Sequence, residues 1–239
     1  MTIDTVLPAE LVALARKVVD ANKALGRKFA LAESCTGGLV AAAITEIPGS
    51  SDVLLGGFVT YSNESKVSML RVSHDVLDTF GAVSIATAWS MAQGALEATD
   101  ADLAVAITGI AGPGGGSEKK PVGTVVFARA ERDADPSDVV ADRKDFGDLG
   151  RGGIRLQAAL VALELLMPRG SDVPAPQSCA ARVSNAPVIR VSADAKTCPA
   201  SISNTRFLNA KSTAKSTSHP PGAGRKCQSL LRYLSGPSI

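Results

Sequence analysis

The chain has 239 residues, 45% of them hydrophobic and 20% charged, enough for one globular domain with a full core but short for two. Its formal net charge of +2 joins unlike parts: residues 1–170 hold 16 Lys+Arg against 21 Asp+Glu, and residues 171–239 hold 9 against 2. With the body acidic, the pI near 8.4 is no sign of a nucleic-acid-binding face, and nucleic acid is not an expected partner.

Pro8 to Leu25 predicts a first helix, with Leu11, Leu14, Ala15, Val18 and Leu25 at helical spacing, Pro8 suited to a first turn and Gly26 to a stop. Asn22 is the one polar interruption of its stripe. Phe29 to Ala32 predicts a short strand, the run Ser34-Cys35-Thr36-Gly37-Gly38 a sharp turn, and Leu39 to Ile47 a helix that Pro48-Gly49-Ser50 breaks. Val53 to Tyr61 reads as a second strand, loosened by Gly56-Gly57, and Asn63 to Leu70 as a short helix. Arg71 to Asp75 reads as a polar turn.

Ser84 to Ala98 predicts a longer helix, capped by Ser84 and burying Ile85, Ala88, Trp89, Ala92 and Leu96. Leu103 to Ile107 is apolar on both faces, as a central strand covered on each side requires. After the glycine-rich Gly109 to Pro121, the segments Val122 to Ala130 and Val139 to Phe146 read as two strands joined through Asp135-Pro136-Ser137. A last helix spans about Gly152 to Met167. The expected architecture is an α/β/α sandwich around a mixed sheet.

Beyond residue 170 come 7 of the 13 prolines, three of the four cysteines and twelve serines, with no spaced apolar run that covers a core. The expected division is therefore a domain over 1–169 and a Ser/Pro/Lys-rich basic tail over 170–239, read as disordered. Leu230 to Leu234 is its one segment able to dock. No C-x-x-C or Cys/His cluster has metal spacing, no leader pattern opens the chain, and no apolar run approaches the ~18 residues of a membrane span. The expectation is a soluble cytoplasmic protein without metal, cofactor or membrane partner.

Ligands of open α/β sheets gather beyond the carboxyl ends of the strands. Three loops leave such ends: Glu33 to Gly38, Tyr61 to Lys66 and Thr108 to Gly116. Ser34, between a strand and a helix start, sits where free N–H groups favour a developing oxyanion; it or Thr36 equally suits a helix cap. The G-x-S-x-G elbow is absent. His74, the one body histidine, lies in the polar turn and is a poor base for Ser34. Lys66 is the next candidate, a base if desolvated and an ordinary surface lysine otherwise. Tyr61 is either a buried phenol or a group that positions Lys66 or a ligand. The Tyr61–Lys66 spacing is one longer than Y-x-x-x-K, and the Gly109–Gly116 loop lacks G-K-[ST], so neither a dinucleotide nor a P-loop reading holds. That loop is a backbone lip for a ligand or a hairpin tip.

The strings Ala32-Glu33-Ser34-Cys35-Thr36-Gly37-Gly38, Gly57 to Lys66, and Ala106-Ile107-Thr108-Gly109-Ile110-Ala111-Gly112-Pro113-Gly114-Gly115 resemble the C-terminal domain of the CinA family, the competence-damage-inducible proteins, a domain that also occurs alone as nicotinamide-nucleotide amidase. The resemblance runs from about residue 8 to 167. It implies an α/β/α sandwich and hydrolysis of nicotinamide mononucleotide to nicotinic acid mononucleotide and ammonia, a step of pyridine-nucleotide recycling. By motif position it makes Ser34 the nucleophile, Lys66 its base, and Tyr61 and Thr108 supporting groups, with the N–H groups at the start of the following helix holding the oxyanion. The family's late G-D-R…V-R pattern falls on Gly147-Asp148 and, two residues later than the pattern has it, on Arg151 and Arg155. Candidate substrate contacts are then Thr36, Gly37, Gly38, Asn63, Gly109, Gly112, Gly114, Arg151 and Arg155. The family also suggests a homodimer. Two other functions fit the same resemblance: a non-catalytic nucleotide-binding or regulatory domain linked to competence or DNA damage, and an amidase of the same mechanism acting on another small amide.

Overall fold

Alternation of helical and extended periodicity along the chain becomes alternation in space. The computed structural model describes residues 5–135 and 139–169. In chain order these form α1 (Ala9–Ala24), β1 (Phe29–Glu33), α2 (Leu39–Thr45), a single 3₁₀ turn (Ser50–Asp52), β2 (Leu54–Val59), α3 (Asn63–Leu70), α4 (His74–Phe80), α5 (Ile85–Glu97), β3 (Leu103–Gly109), β4 (Thr124–Glu131), β5 (Val140–Asp145) and α6 (Gly150–Leu166). The sheet order is β2-β1-β3-β4-β5. β1 runs parallel to β2 and β3, while β4 and β5 are antiparallel to their neighbours.

Period-two alternation sends the strands' side chains to two different cores. Phe29, Leu31, Leu103, Val105, Ile107 and Phe127 pack with α1, α2 and α6. The intervening positions are nearly all alanine, Ala30, Ala32, Ala104, Ala106, Ala128 and Ala130, and face α5. So small a surface lets α5 lie close to the sheet. The helix is crowded laterally as well: a Cβ on Gly94 would stand 2.0 Å from the Leu70 carbonyl at the end of α3.

Asn22 is fully buried, donating to the carbonyls of Val18 and Leu166. The polar interruption of the first stripe is a tie between α1 and the end of α6. Buried Arg129 closes the same end, donating to the carbonyls of Leu165 and Met167.

Two local expectations need correction. The polar turn at 71–75 opens α4, because Ser73 accepts the Asp75 N–H as an N-cap and Leu77 is buried beneath. Ile85, placed in the buried stripe of α5, is half exposed, since the first residue of that helix lies at the rim of the core. Ser84 caps α5 as expected, accepting the Thr87 N–H. β4 and β5 pair as the expected antiparallel neighbours. The tip residues Pro136 and Ser137, and the tail from residue 170, lie outside the described residues. No helix among the described residues is long and apolar enough to cross a membrane.

Candidate active site

The chain leaves β1 for α2 on one face of the sheet and leaves the adjacent β2 for α3 on the other. Adjacent strands whose connections part in this way open a crevice at their carboxyl ends. It is a cleft of about 230 Å³ lined by Ser34 and Cys35 after β1, Tyr61, Asn63 and Lys66 after β2, Ala82 and Val83 before α5, Thr108, Gly109 and Ala111 after β3, and Arg151 on α6. The three loops singled out in the sequence meet there.

Ser34 is 8% exposed and Lys66 1%. Lys66 lies in the second turn of α3, which is fixed by a Ser62–Ser65 capping box. Its Nζ stands 3.1 Å from Ser34 Oγ, 2.8 Å from the Thr60 carbonyl and 3.5 Å from the Tyr61 carbonyl. Carbonyls only accept, so in the neutral form of the amine the two of them can take its two N–H bonds, which would leave its lone pair for the Ser34 hydroxyl. Burial holds the Lys66 amine below its usual 10.5, opposed by the nearby Cys35 and Glu64. Among the described residues no carboxylate pairs with it. The surface-lysine alternative is thereby set aside. His74 is exposed at the start of α4 and does not line the cleft.

The helix start is not available to an oxyanion. Glu33, buried at the end of β1, fills it: Oε2 accepts the N–H groups of Gly38 and Val40, and Oε1 that of Ala41. Neither Ser34 nor Thr36 caps α2; the N-cap, Gly38, makes no side-chain bond. Glu33 does not take the N–H groups of Cys35 and Thr36, one turn earlier; their nearness acts to lower the pKa of the Cys35 thiol. That thiol is pushed up to about 11, chiefly by burial, and stays protonated at neutral pH.

Thr108 is buried, and its hydroxyl donates to the Ala82 carbonyl at 2.8 Å, which ties the segment before α5 to the cleft. Tyr61 is 61% exposed and stands at the mouth, its Oη accepting from Arg151 at 3.2 Å. Arg151 also donates to the Gly112 carbonyl at 2.8 Å. Both partners are neutral. Arg155 turns inward, donating to the Thr36 carbonyl at 2.8 Å, while its Nε and the Thr36 Oγ1 are buried without a partner.

Of the candidate substrate contacts, Asn63, Gly109 and Arg151 line the cleft. Thr36, Gly37, Gly38, Gly112, Gly114 and Arg155 are not among its lining residues. Gly37 and Gly38, with φ of 61° and 89°, turn the chain back toward Glu33. A Cβ on Gly109 would meet the Thr124 carbonyl at 2.8 Å, so this glycine serves the β3–β4 pairing. Glu33, Cys35, Ala82, Val83 and Ala111 were not singled out in the sequence. Among the described residues no cluster of His, Cys, Asp or Glu has the arrangement of a metal site.

The chain is 50% identical over 159 residues to the nicotinamide-nucleotide amidohydrolase PncC of Escherichia coli (strain K12), a match covering 66% of this chain and 93% of that protein. It is 59% identical over 103 residues to a CinA-like protein of Mycobacterium avium (strain 104), covering 43% of this chain and 24% of that longer relative. The crystal structure of the competence/damage inducible protein CihA from Agrobacterium tumefaciens superposes with a TM-score of 0.65 at 49% identity, over 68% of this chain and 96% of that one. The family model described as the CinA C-terminal domain matches residues 11–169. On this match, which takes in all five strands and every cleft-lining residue, the chain belongs to the CinA C-terminal domain family.

Proposed function

We propose that this protein hydrolyses the carboxamide of nicotinamide mononucleotide, releasing ammonia and nicotinic acid mononucleotide in pyridine-nucleotide recycling. The observation that carries the reading is the buried Ser34–Lys66 pair, its amine bonded to two carbonyls and the serine hydroxyl and to no carboxylate. The PncC relative is named a nicotinamide-nucleotide amidohydrolase.

Lys66 takes the Ser34 proton as Oγ attacks the carboxamide carbon, forming a C–O bond and a tetrahedral oxyanion. The Cys35 and Thr36 N–H groups, which Glu33 does not take, donate to that oxygen. Collapse breaks the C–N bond, and the Lys66 ammonium gives its proton to the leaving nitrogen, which departs as ammonia. Water then attacks the Ser34 ester, losing a proton to Lys66, which returns it to Oγ as the acid leaves. Thr108 and Tyr61 frame the reacting amide.

Arg151 meets the phosphate. It stands at the mouth with its charge opposed by neutral acceptors alone, whereas Arg155 is turned behind the Thr36 carbonyl. The activity belongs to residues 1–169.

Ammonia release from nicotinamide mononucleotide by the purified protein tests the reading. Ser34→Ala and Lys66→Ala are each expected to lose about 10²-fold or more of kcat. Undiminished turnover in either variant overturns the dyad. Binding of the nucleotide without turnover by the wild type favours the binding-module alternative, and turnover of other small amides alone favours the third.

A further inference from the structure

The reaction sequence leaves one buried charged side chain beside the nucleophile without a role. Glu33 immediately precedes Ser34 and is 1% exposed. Its carboxylate receives the N–H groups of Gly38 at 3.0 Å, Val40 at 3.2 Å and Ala41 at 2.8 Å. Its main-chain carbonyl receives the N–H of Thr60 at 2.8 Å. The Thr60 carbonyl in turn receives Lys66 Nζ at 2.8 Å. One residue therefore anchors the turn that carries the nucleophile and the strand end that holds its base.

We propose that Glu33 is a positioning residue for the Ser34–Lys66 pair, its carboxylate fixing the Ser34–Gly37 turn by occupying the N-terminus of α2. The proposal rests on reading Ser34 as the nucleophile. Lys66 holds the Ser34 end of the turn and Arg155 the Thr36 carbonyl, but Gly37 and Gly38, both in left-handed backbone conformations, leave its far end without a side-chain restraint of its own. Three charge-assisted bonds to one carboxylate supply the restraint. They also keep those N–H groups from a substrate anion, so the oxyanion is directed to the turn ahead of the helix.

The obvious substitutions separate the charge from the shape. Glu33→Gln keeps the size of the side chain but aims an amide N–H₂ at donors that need an acceptor. Glu33→Ala leaves all three donors open and makes room for a small carboxylate. The readout independent of substrate is the second-order rate at which a small fluorophosphonate labels Ser34, measured per folded protein as judged by circular dichroism. Expected for Glu33→Gln is a loss of about tenfold or more, on the scale that a misplaced reacting atom brings, with kcat for the nucleotide falling in parallel and KM held within about threefold. For Glu33→Ala, added formate is expected to restore labelling in a saturable way, a response that a general loss of stability does not give.

Labelling of folded Glu33→Gln within about twofold of wild type overturns the proposal, as does Glu33→Ala labelling that formate leaves unmoved. If Glu33→Gln does not fold, Glu33→Asp, too short to span the three donors, takes its place under the same criteria. A wild type that labels at Ser34 without hydrolysing nicotinamide mononucleotide overturns the proposed substrate and leaves this test intact. A wild type that does not label overturns both.

Discussion

The proposed role of Lys66 as a base depends on where it is buried. Desolvation penalises its charged form and holds its pKa below 10.5 against the opposing pull of Cys35 and Glu64, and the acceptors bonded to it are carbonyls and a hydroxyl. The consequence for rate has a definite sign. With Lys66 as the proposed base the free enzyme needs a neutral amine, so kcat/KM is expected to rise with pH and to level off at the lowered pKa, short of 10.5. The consequence for stability follows from the same shift. An unfolded chain titrates this lysine at 10.5; between the folded pKa and that value the unfolded state binds more protons, so stability rises with pH across the window. Lys66's contribution is thus greatest above about 10.5 and is lost as pH falls through the folded value. In Lys66→Met the pH-dependent part disappears while the apolar stem is kept. Urea unfolding of both proteins between pH 7 and 10 checks it: the wild type is expected to gain stability relative to Lys66→Met as pH rises. A constant difference across that range would mean that the amine titrates alike in both states.

At the level of elements, the alanine face of the sheet decides how α5 sits. A Gly→Ala change inside a helix ordinarily stabilises by about 0.5–1 kcal/mol. In α5 the sign reverses at Gly94, because its Cβ would lie 2.0 Å from a backbone carbonyl, at Leu70, which cannot swing away as a side chain tip does. Gly94→Ala is expected to destabilise by about 1–3 kcal/mol, read as a lower urea midpoint with unchanged slope. It should lower activity too, since α3 carries Lys66 and ends at Leu70. Much of this scale was legible in the sequence. Apolar periodicity gave the long helices, the doubly buried β3 and the mixed sheet, and the polar loops at strand ends marked the cleft. α4 escapes the pattern because seven residues with one buried position carry too little periodicity, although Ser73 before His74-Asp75 is a cap signal. Glu33 was missed for a different reason. Its donors lie five, seven and eight residues on and come within reach only after two left-handed glycines reverse the chain. Ala82, Val83 and Ala111 line the cleft through shape, and small apolar residues have no chemical signature in a sequence.

The whole molecule raises the question of how much chain the chemistry needs. Every residue lining the cleft falls between Ser34 and Arg151, and the matched family span ends at residue 169. The last helix is already closed at that point: Leu166 is fully buried, its carbonyl is taken by Asn22, and Arg129 takes those of Leu165 and Met167. Cutting after Arg169 removes none of these donors. It changes the formal charge from weakly positive to negative, since the basic excess lies beyond residue 170, yet the local charge at the cleft mouth is set by Arg151, held to Tyr61 and Gly112. Long-range charge affects encounter with an anionic substrate and is screened by salt over about 10 Å at 0.1 M. A chain of residues 1–169 is therefore expected to keep kcat within about twofold of the full protein. Any fall in kcat/KM is expected to appear at low ionic strength and to vanish near 0.15 M salt. Ammonia release by both proteins across a salt series checks this, and a truncated chain that folds but loses kcat at every salt concentration would assign part of the catalytic architecture to residues beyond 169.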